Sequence, residues 1–490
     1  MIEQLPATRP RLSLSVFSLL SLFFLSGFAA LLYQVIWQRL LVFYTGSDTV
    51  SISLIVTAFM TGLGLGYLVG GRLADRSSPA VNLRYFVGAE LGIMAFAACS
   101  KFILYDLLYT SAPAFGNVPA LLYGVVFGVL LVPTFLMGVS LPVLSRAFRF
   151  GDLGEQARYI SLLYFVNTLG AAVGALLTGF FFVRQLGYDN AIWVGAVANG
   201  ICAGAAFLLG RRLTQSTESA NPDAVTGPLR FTPALTIWSV QYALSGFAAL
   251  SLELIWFRIL ETLIKSVSLT FAVLLAIYLG SMAVGTAVGT WLCSPSFGRT
   301  AAWRERAFLV AQTTLYGYTA LSIGVFVKGI GRVPSLRFLW DYFGSYEPNL
   351  SPGLAVFIYG AVPLFLLFVP TFLMGLSFAL SQSLIQDNDY EVGRKVGWLQ
   401  FVNIVGSALG AWAITWIGFP VFGTATLLKG IAALSLGYVL VLFLRRHWSI
   451  LPAIGVAVGL VMAVRIIPPN PRFWQLLNGL ERADMFLFDE

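Results

Sequence analysis

The side chains that could carry out chemistry are few in this chain. It has one histidine, His447, and three widely spaced cysteines, Cys99, Cys202 and Cys293. A single histidine argues against a histidine-ligated metal centre and against a Ser-His-Asp triad. An odd number of cysteines without a CxxC pair provides neither a disulfide framework nor a metal site. The residues therefore indicate no bound metal, no cofactor and no catalytic constellation.

Three ionisable side chains lie deep within apolar stretches instead: Glu90, Glu253 and Lys429. A charge in the middle of a bilayer is costly, so residues of this kind mark a solute pathway or a buried pair. Their positions along the apolar runs allow Glu253 and Lys429 to pair, whereas Glu90 lies too far from both to share one site. A structural Glu253–Lys429 pair with a hydrogen-bonded Glu90 is therefore the alternative to a solute site.

The composition explains why these stretches are assigned to a membrane. Of the 490 residues, 58% are hydrophobic and 11% are charged. A soluble protein carries about 25% charged residues, so a water-soluble core of this length is excluded. The net charge of +8 lies in short loops between apolar runs rather than on one basic face, which argues against a nucleic-acid partner.

Apolar runs long enough to cross a bilayer, which takes about 20 residues, occur in two sets of six. The runs are 13–35, 50–71, 84–105, 117–145, 159–183 and 188–210, then 234–260, 267–292, 306–328, 353–383, 397–419 and 421–444. We predict an all-α polytopic membrane protein with two six-helix bundles. Its parts are a first bundle at 1–210, a polar cytoplasmic linker at 211–232, a second bundle at 233–446, a thirteenth span or interfacial helix at 447–467, and a polar tail at 468–490.

The distribution of arginine and lysine predicts the orientation. With a cytoplasmic N-terminus, the inner loops hold about twice as many basic residues as the outer side, which is the bias of a bacterial inner (plasma) membrane protein. Trp37 and Trp256, each two residues before an arginine, are expected in the aromatic belt near the outer boundary.

The two halves of the sequence repeat each other in order. The segments Ser26–Leu31, Val132–Gly138 and Phe165–Asn167 recur as Ser245–Leu250, Val369–Gly375 and Phe401–Asn403. Because each unit holds an even number of spans, both units have the same orientation in the bilayer. This is a parallel repeat of the kind found in major-facilitator (MFS) transporters.

Aligning the halves places an amide opposite each intramembrane acid. Glu90 corresponds to Gln312, and Glu253 corresponds to Gln34. This set of residues suits a cavity for a small cation such as a polyamine. The carboxylates would attract its charge, the amides would orient it, and aromatic side chains would pack against its methylene stem. We therefore predict that Glu253, Glu90, Gln34, Gln312 and Lys429 contact a solute.

The loop after the second run, Gly71-Arg72-Leu73-Ala74-Asp75-Arg76, resembles the loop motif of the major facilitator superfamily. In that motif an acid and basic residues form a breakable latch at the cytoplasmic face, which makes Asp75, Arg76 and Arg72 candidate gating residues. Ordinary positive-inside loop charge is the alternative. The second half has lost the acid, since Gly289–Cys293 continues without one.

Taken together, four segments resemble the membrane half of fused MFS/spermidine synthase proteins. They are Ser26–Arg39, Gly66–Arg76, Pro133–Gly138 and Asn167–Gly174. Relatives in that family carry a following Rossmann-like aminopropyltransferase domain, and the segment from Phe473 to Glu490 is similar to the join into it. The nucleotide loop and the acidic residues of that domain have no counterpart in these residues, and Gln34 stands where the family commonly has glutamate.

Three functions are therefore expected, in decreasing order. The first is transport of a polyamine or similar small cation by alternating access. The second is a non-transporting membrane scaffold for a separately encoded, soluble aminopropyltransferase. The third, enzymatic activity of the chain itself, is disfavoured because the resemblance provides no catalytic residue.

Overall fold

Long helices joined by short connections make up the structure, a computed structural model. It describes residues 14–478 apart from 46–48, 112–118, 149, 151, 217–228, 331, 334–335, 337, 340–341, 343–350 and 387–390. Most of the predicted linker and the end of the predicted tail, 479–490, therefore lie outside the described residues.

Twelve helices of the described chain fall into two sets of six. They are α1 (Leu14–Thr45), α2 (Thr49–Arg76), α3 (Pro79–Lys101), α4 (Pro119–Ser145), α5 (Leu153–Leu177), α6 (Val183–Ser216), α7 (Pro233–Ile264), α8 (Val267–Leu292), α9 (Ala301–Ile330), α10 (Val362–Ile385), α11 (Val392–Ala413) and α12 (Thr424–Leu444). Ten stretches of the described chain are long and apolar enough to cross a membrane. One of them, Leu153–Arg211, spans 59 residues and turns back at Gly187, where φ is 75°, so it provides two crossings. The prediction of an all-α protein with two six-helix bundles is confirmed.

Both bundles are held together by the same glycine contacts. Gly170 of α5 lies against the carbonyl oxygen of Phe24 in α1, and its repeat partner Gly406 of α11 lies against that of Ala243 in α7. A Cβ atom at either glycine would overlap the facing oxygen. Small residues let helix backbones approach closely in lipid, where no hydrophobic force drives helices together. The sequence repeat is therefore also a repeat of packing.

The two bundles meet along two helix pairs, α2 with α11 and α5 with α8. We call the side where α2 and α6 end and α7 begins the linker side, and the opposite side the far side. Near the linker side, Gly397 of α11 packs on the carbonyl oxygen of Tyr67 in α2. Toward the far side, Gly179, just beyond α5, packs on Ala272 of α8.

Two further helices follow the second bundle, α13 (Ile450–Ile466) and α14 (Asn470–Leu477). α13 runs parallel to α9, because Leu460 contacts Gly317 and Ile466 contacts Gly324. It therefore passes from the linker side to the far side, as a thirteenth span would. α14 turns away by 67° and packs against the second bundle with its residues 473–477 buried, so the predicted polar tail begins with a docked helix.

Candidate functional site

A cavity of about 90 Å³ lies in the second bundle on the side that faces the first. Its polar lining is Tyr164, Gln241, Tyr242, Ser245, Tyr278, Ser377, Ser381, Gln400 and Asn403, and its apolar lining is Ala249, Met282, Phe308, Met374 and Phe378. Only Tyr164 comes from the first bundle. The lining contains no charged side chain, and in the described part of the chain no group of three or more His, Cys, Asp or Glu residues could hold a metal ion.

Hydrogen bonds order part of this lining. The hydroxyls of Tyr242 and Ser381 are 2.7 Å apart, and Gln312 donates to the Ser377 hydroxyl at 2.9 Å. The buried Oε1 of Gln312 and Nε2 of Gln400 have no hydrogen-bond partner among the described residues. A buried polar group left unsatisfied costs about 1–3 kcal/mol. The cavity and its surround therefore offer one acceptor and one donor to a bound polar solute or water.

Glu253 lies one helical turn beyond this cavity. Gln241, Ser245 and Ala249 follow each other at four-residue intervals on α7 and all line it. Glu253 comes one turn after Ala249, displaced from it by about 40° around the helix. The Glu253 side chain is partly exposed, and its carboxylate interacts electrostatically with Tyr278 of the lining. The structure thus places Glu253 and Gln312 beside the cavity, outside its lining, and a solute contact for either residue stays a prediction.

Among the described residues, Glu253 and Lys429 do not form the pair that the sequence allowed. Arg258, five residues further along α7, donates to Thr424 at the start of α12 at 3.2 Å. At about 100° per residue, Arg258 and Glu253 are separated by roughly 140° around the helix, so the two side chains point in different directions. Lys429 is half-buried on α12, and a solute contact for it stays a prediction.

Glu90 is enclosed within the first bundle, away from the cavity. It is fully buried, and its two oxygens accept hydrogen bonds from Ser26 and from Asn199, each at 2.6 Å. Asn199 in turn accepts from the Tyr33 hydroxyl at 2.7 Å. The network joins α1, α3 and α6. Gln34 is also buried, on α1. Neither Glu90 nor Gln34 lines the cavity, so a solute contact for either residue stays a prediction.

We expect the Glu90 network to contribute to stability. In Glu90→Leu the donors on Ser26 and Asn199 lose their acceptor, which should lower the free energy of unfolding by about 2–5 kcal/mol. Glu90→Gln keeps the shape and one acceptor oxygen, so its loss should be smaller and its transport close to wild type. Thermal unfolding in detergent and flux in proteoliposomes measure both. A Glu90→Gln protein that folds normally but transports nothing would show that Glu90 acts on the solute.

A buried carboxylate connects the bundles on the linker side. Asp75, at the end of α2, accepts the backbone N–H groups of Gly393 and Arg394 at 2.8 Å each, in the first turn of α11. The Nε atoms of Arg394 and Arg146 lie 3.3 and 3.4 Å from its oxygens. Asp75 therefore caps a helix of the other bundle and pairs with two arginines, which is the geometry of a latch.

The basic residues beside Asp75 in the sequence lie elsewhere. Arg72 and Arg76 are exposed at the surface, whereas the two arginines at the latch come from the end of α4 and from α11. Along one helix, successive residues point in different directions, so loop neighbours need not share a site. A gating role for Arg72 and Arg76 stays a prediction.

Most polar residues of the cavity were missed by the sequence analysis, although the repeat contains a signal for them. Where the second half has Gln241, Tyr242 and Tyr278, the equivalent positions of the first half are Leu22, Phe23 and Phe59. Position-by-position comparison of the halves would have marked the second bundle as the polar one. Alignment of charged residues alone did not.

Comparison with known proteins gives similarity of structure rather than of sequence. No protein-family model and no curated protein matches the sequence. A bacterial homologue of the iron transporter ferroportin, crystallised in an outward-facing state, has a TM-score of 0.55 at 12% identity, over 92% of this chain and 99% of that chain. The human organic anion transporter MFSD10 has a TM-score of 0.58 at 13% identity, over 88% of this chain and 99% of that one. The chain is therefore an integral membrane protein with the fold of the MFS transporters.

Proposed function

We propose that the protein transports a small organic cation, such as a polyamine, through the cavity of the second bundle. The observation that carries the proposal is the position of Glu253, a partly exposed carboxylate one turn beyond a polar cavity. A carboxylate inside a membrane protein without a cationic partner is costly. A cationic solute would supply the missing charge.

The cavity lining fits such a solute. It has no lysine or arginine that would repel a cation, and its amides and hydroxyls can accept hydrogen bonds from ammonium groups. Tyrosine and phenylalanine rings attract cations through their faces, and the methionines pack against a methylene stem. Gln312 acts indirectly, by holding the Ser377 hydroxyl. The resemblance to the spermidine synthase-associated family supports a polyamine in particular.

The arrangement of the bundles supports alternating access. Tyr164 of the first bundle stacks on Phe378 of the second with ring centroids 3.9 Å apart, and both rings line the cavity. Access from the linker side requires this stack and the Asp75 latch to open. Given the arginine distribution, we assign the linker side to the cytoplasm and the protein to the bacterial inner membrane.

Uptake of radiolabelled putrescine and spermidine into proteoliposomes tests the proposal. We expect saturable uptake that unlabelled polyamines inhibit and that neutral sugars leave unchanged. If no amine is taken up and a soluble aminopropyltransferase co-purifies with the protein, the scaffold function replaces the transporter.

A further inference from the structure

A second cavity, of about 340 Å³, lies on the linker side between α5 and the second bundle. Its lining includes Arg158 and Ser161 of α5, Thr290 and Cys293 at the end of α8, and Arg304 of α9. α5 and α8 are the repeat partners of α11 and α2, the two helices joined by the Asp75 latch. The cavity therefore lies where the repeat would place a second latch.

One arginine of the Asp75 latch has an equivalent arginine at the second position. Arg394, which binds Asp75, corresponds to Arg158. Each of these arginines also pairs with a glutamate three residues earlier, Arg394 with Glu391 at 3.3 Å and Arg158 with Glu155 at 3.4 Å. The acid is what differs, because Ser294 occupies the position equivalent to Asp75. Arg158 thus forms its ion pair with Glu155, but it has no equivalent of the Asp75 carboxylate that Arg394 binds across the bundles.

The backbone contacts explain why this side is open. At the latch, Gly71 of α2 packs on the carbonyl oxygen of Gly393, and Gly397 packs on α2 in the same way. The positions equivalent to these three glycines are Thr290, Ala157 and Ser161, and all three line the cavity. Side chains at these positions keep α5 and α8 apart, so the space that the latch fills on one side remains open on the other.

The charges around the cavity favour an anion. Arg158 and Arg304 both line it, and Asp152 is the one acid in the lining. Asp152 is exposed and accepts the backbone N–H of Gly154 as the N-cap of α5. Arg304 donates to the carbonyl oxygens of Ser383 and Arg299, while its buried Nε has no hydrogen-bond partner among the described residues.

We propose that this cavity binds a small carboxylate from the solution on the linker side, between Arg158 and Arg304. The bound carboxylate takes the place that the Asp75 carboxylate has in the equivalent latch, and it holds α5 and α8 together. Charge-assisted hydrogen bonds from arginine to carboxylate are among the stronger ones in proteins. The protein would then have one latch formed by its own side chains and one that depends on a ligand, whichever solute it transports.

Cys293 provides a probe, because it lines the cavity. In the full-length protein carrying Cys99→Ser and Cys202→Ser, it is the one remaining thiol. Burial raises the pKa of the Cys293 thiol, so its maleimide labelling is measured at a fixed, mildly alkaline pH. We expect saturating acetate or succinate to slow labelling about tenfold relative to chloride at equal ionic strength, and Arg158→Gln to weaken this protection about tenfold. Arg306→Gln, an exposed arginine on α9, is the matched control.

A second variant tests the equivalence of the two latches. Ser294→Asp restores the acid at the repeat position, so labelling of Cys293 should be slow without added carboxylate, and acetate should have little further effect. Ser296→Asp, an exposed neighbour, should behave as wild type. Protection by acetate that is the same in wild type and Arg158→Gln, or a full acetate response in Ser294→Asp, would overturn the proposal.

Discussion

Glu253→Gln should reduce uptake of an organic cation about 10- to 100-fold with little change in stability. The substitution keeps the shape of the side chain and its place one turn beyond Ala249 of the cavity lining, but it removes the charge. A hydrogen bond to a charged group contributes about 1.5–3 kcal/mol, and each 1.4 kcal/mol is a factor of about ten. Initial uptake rates over a range of putrescine concentrations measure the loss.

Glu305→Gln is the control for this prediction. Glu305 is a partly exposed acid on α9, outside the cavity, and lies 3.8 Å from Arg445 and 4.0 Å from His447. Surface ion pairs contribute little to protein stability. Glu305 also lies outside the cavity, so uptake by Glu305→Gln should remain near wild type. Equal uptake by wild type and Glu253→Gln, with both proteins folded, would remove Glu253 from the solute path and contradict the proposed function.

Asp75→Ala should lower the free energy of unfolding by about 3–5 kcal/mol, the usual loss when one partner of a buried ion pair is removed. The Asp75 side chain is fully buried, and without it the guanidinium groups of Arg146 and Arg394 lose their shared carboxylate. The first turn of α11 also loses its cap from α2. Equilibrium denaturation in detergent micelles measures the change.

Asp75→Asn and Arg76→Gln test which groups of this loop hold the two bundles together. The amide of Asp75→Asn can still accept one backbone N–H from α11, so its loss of stability should be smaller than that of alanine. Arg76 is exposed, and its substitution should change stability by less than about 0.5 kcal/mol. A larger loss for Arg76→Gln than for Asp75→Ala would show that the loop arginine, and not the buried acid, holds the bundles together.

The sequence repeat reappears more clearly in the packing than in the site. Identical residues such as Gly170 and Gly406 make identical contacts in the two bundles, because close helix packing depends on residue size at fixed spacing, which a sequence shows directly. The cavity was harder to predict, since its lining comes from five helices of one bundle and a single residue of the other. No local pattern joins those residues.

The prediction of interfacial tryptophans was wrong. Trp37 and Trp256 are both fully buried, and Trp37 stacks on Tyr33 with ring centroids 5.2 Å apart. A tryptophan followed by an arginine is consistent with an aromatic belt, but the direction of a side chain around its helix depends on which neighbours surround that helix. Trp37 instead packs inside the first bundle, with Tyr33 and the nearby ring of Phe96.

The sequence by itself determined that this chain crosses a membrane in two equivalent six-helix units, because hydropathy and repetition are properties of the residues in order. It also marked Asp75 and Glu253 as candidates, Asp75 because its loop resembles an MFS motif and Glu253 because an acid among apolar residues stands out without any fold. Only the tertiary structure decided what those acids meet. Asp75 meets α11 and two distant arginines, and Glu253 adjoins a polar cavity instead of pairing with Lys429. The reason is geometric: which side chains share a space depends on how helices far apart in sequence are rotated against each other.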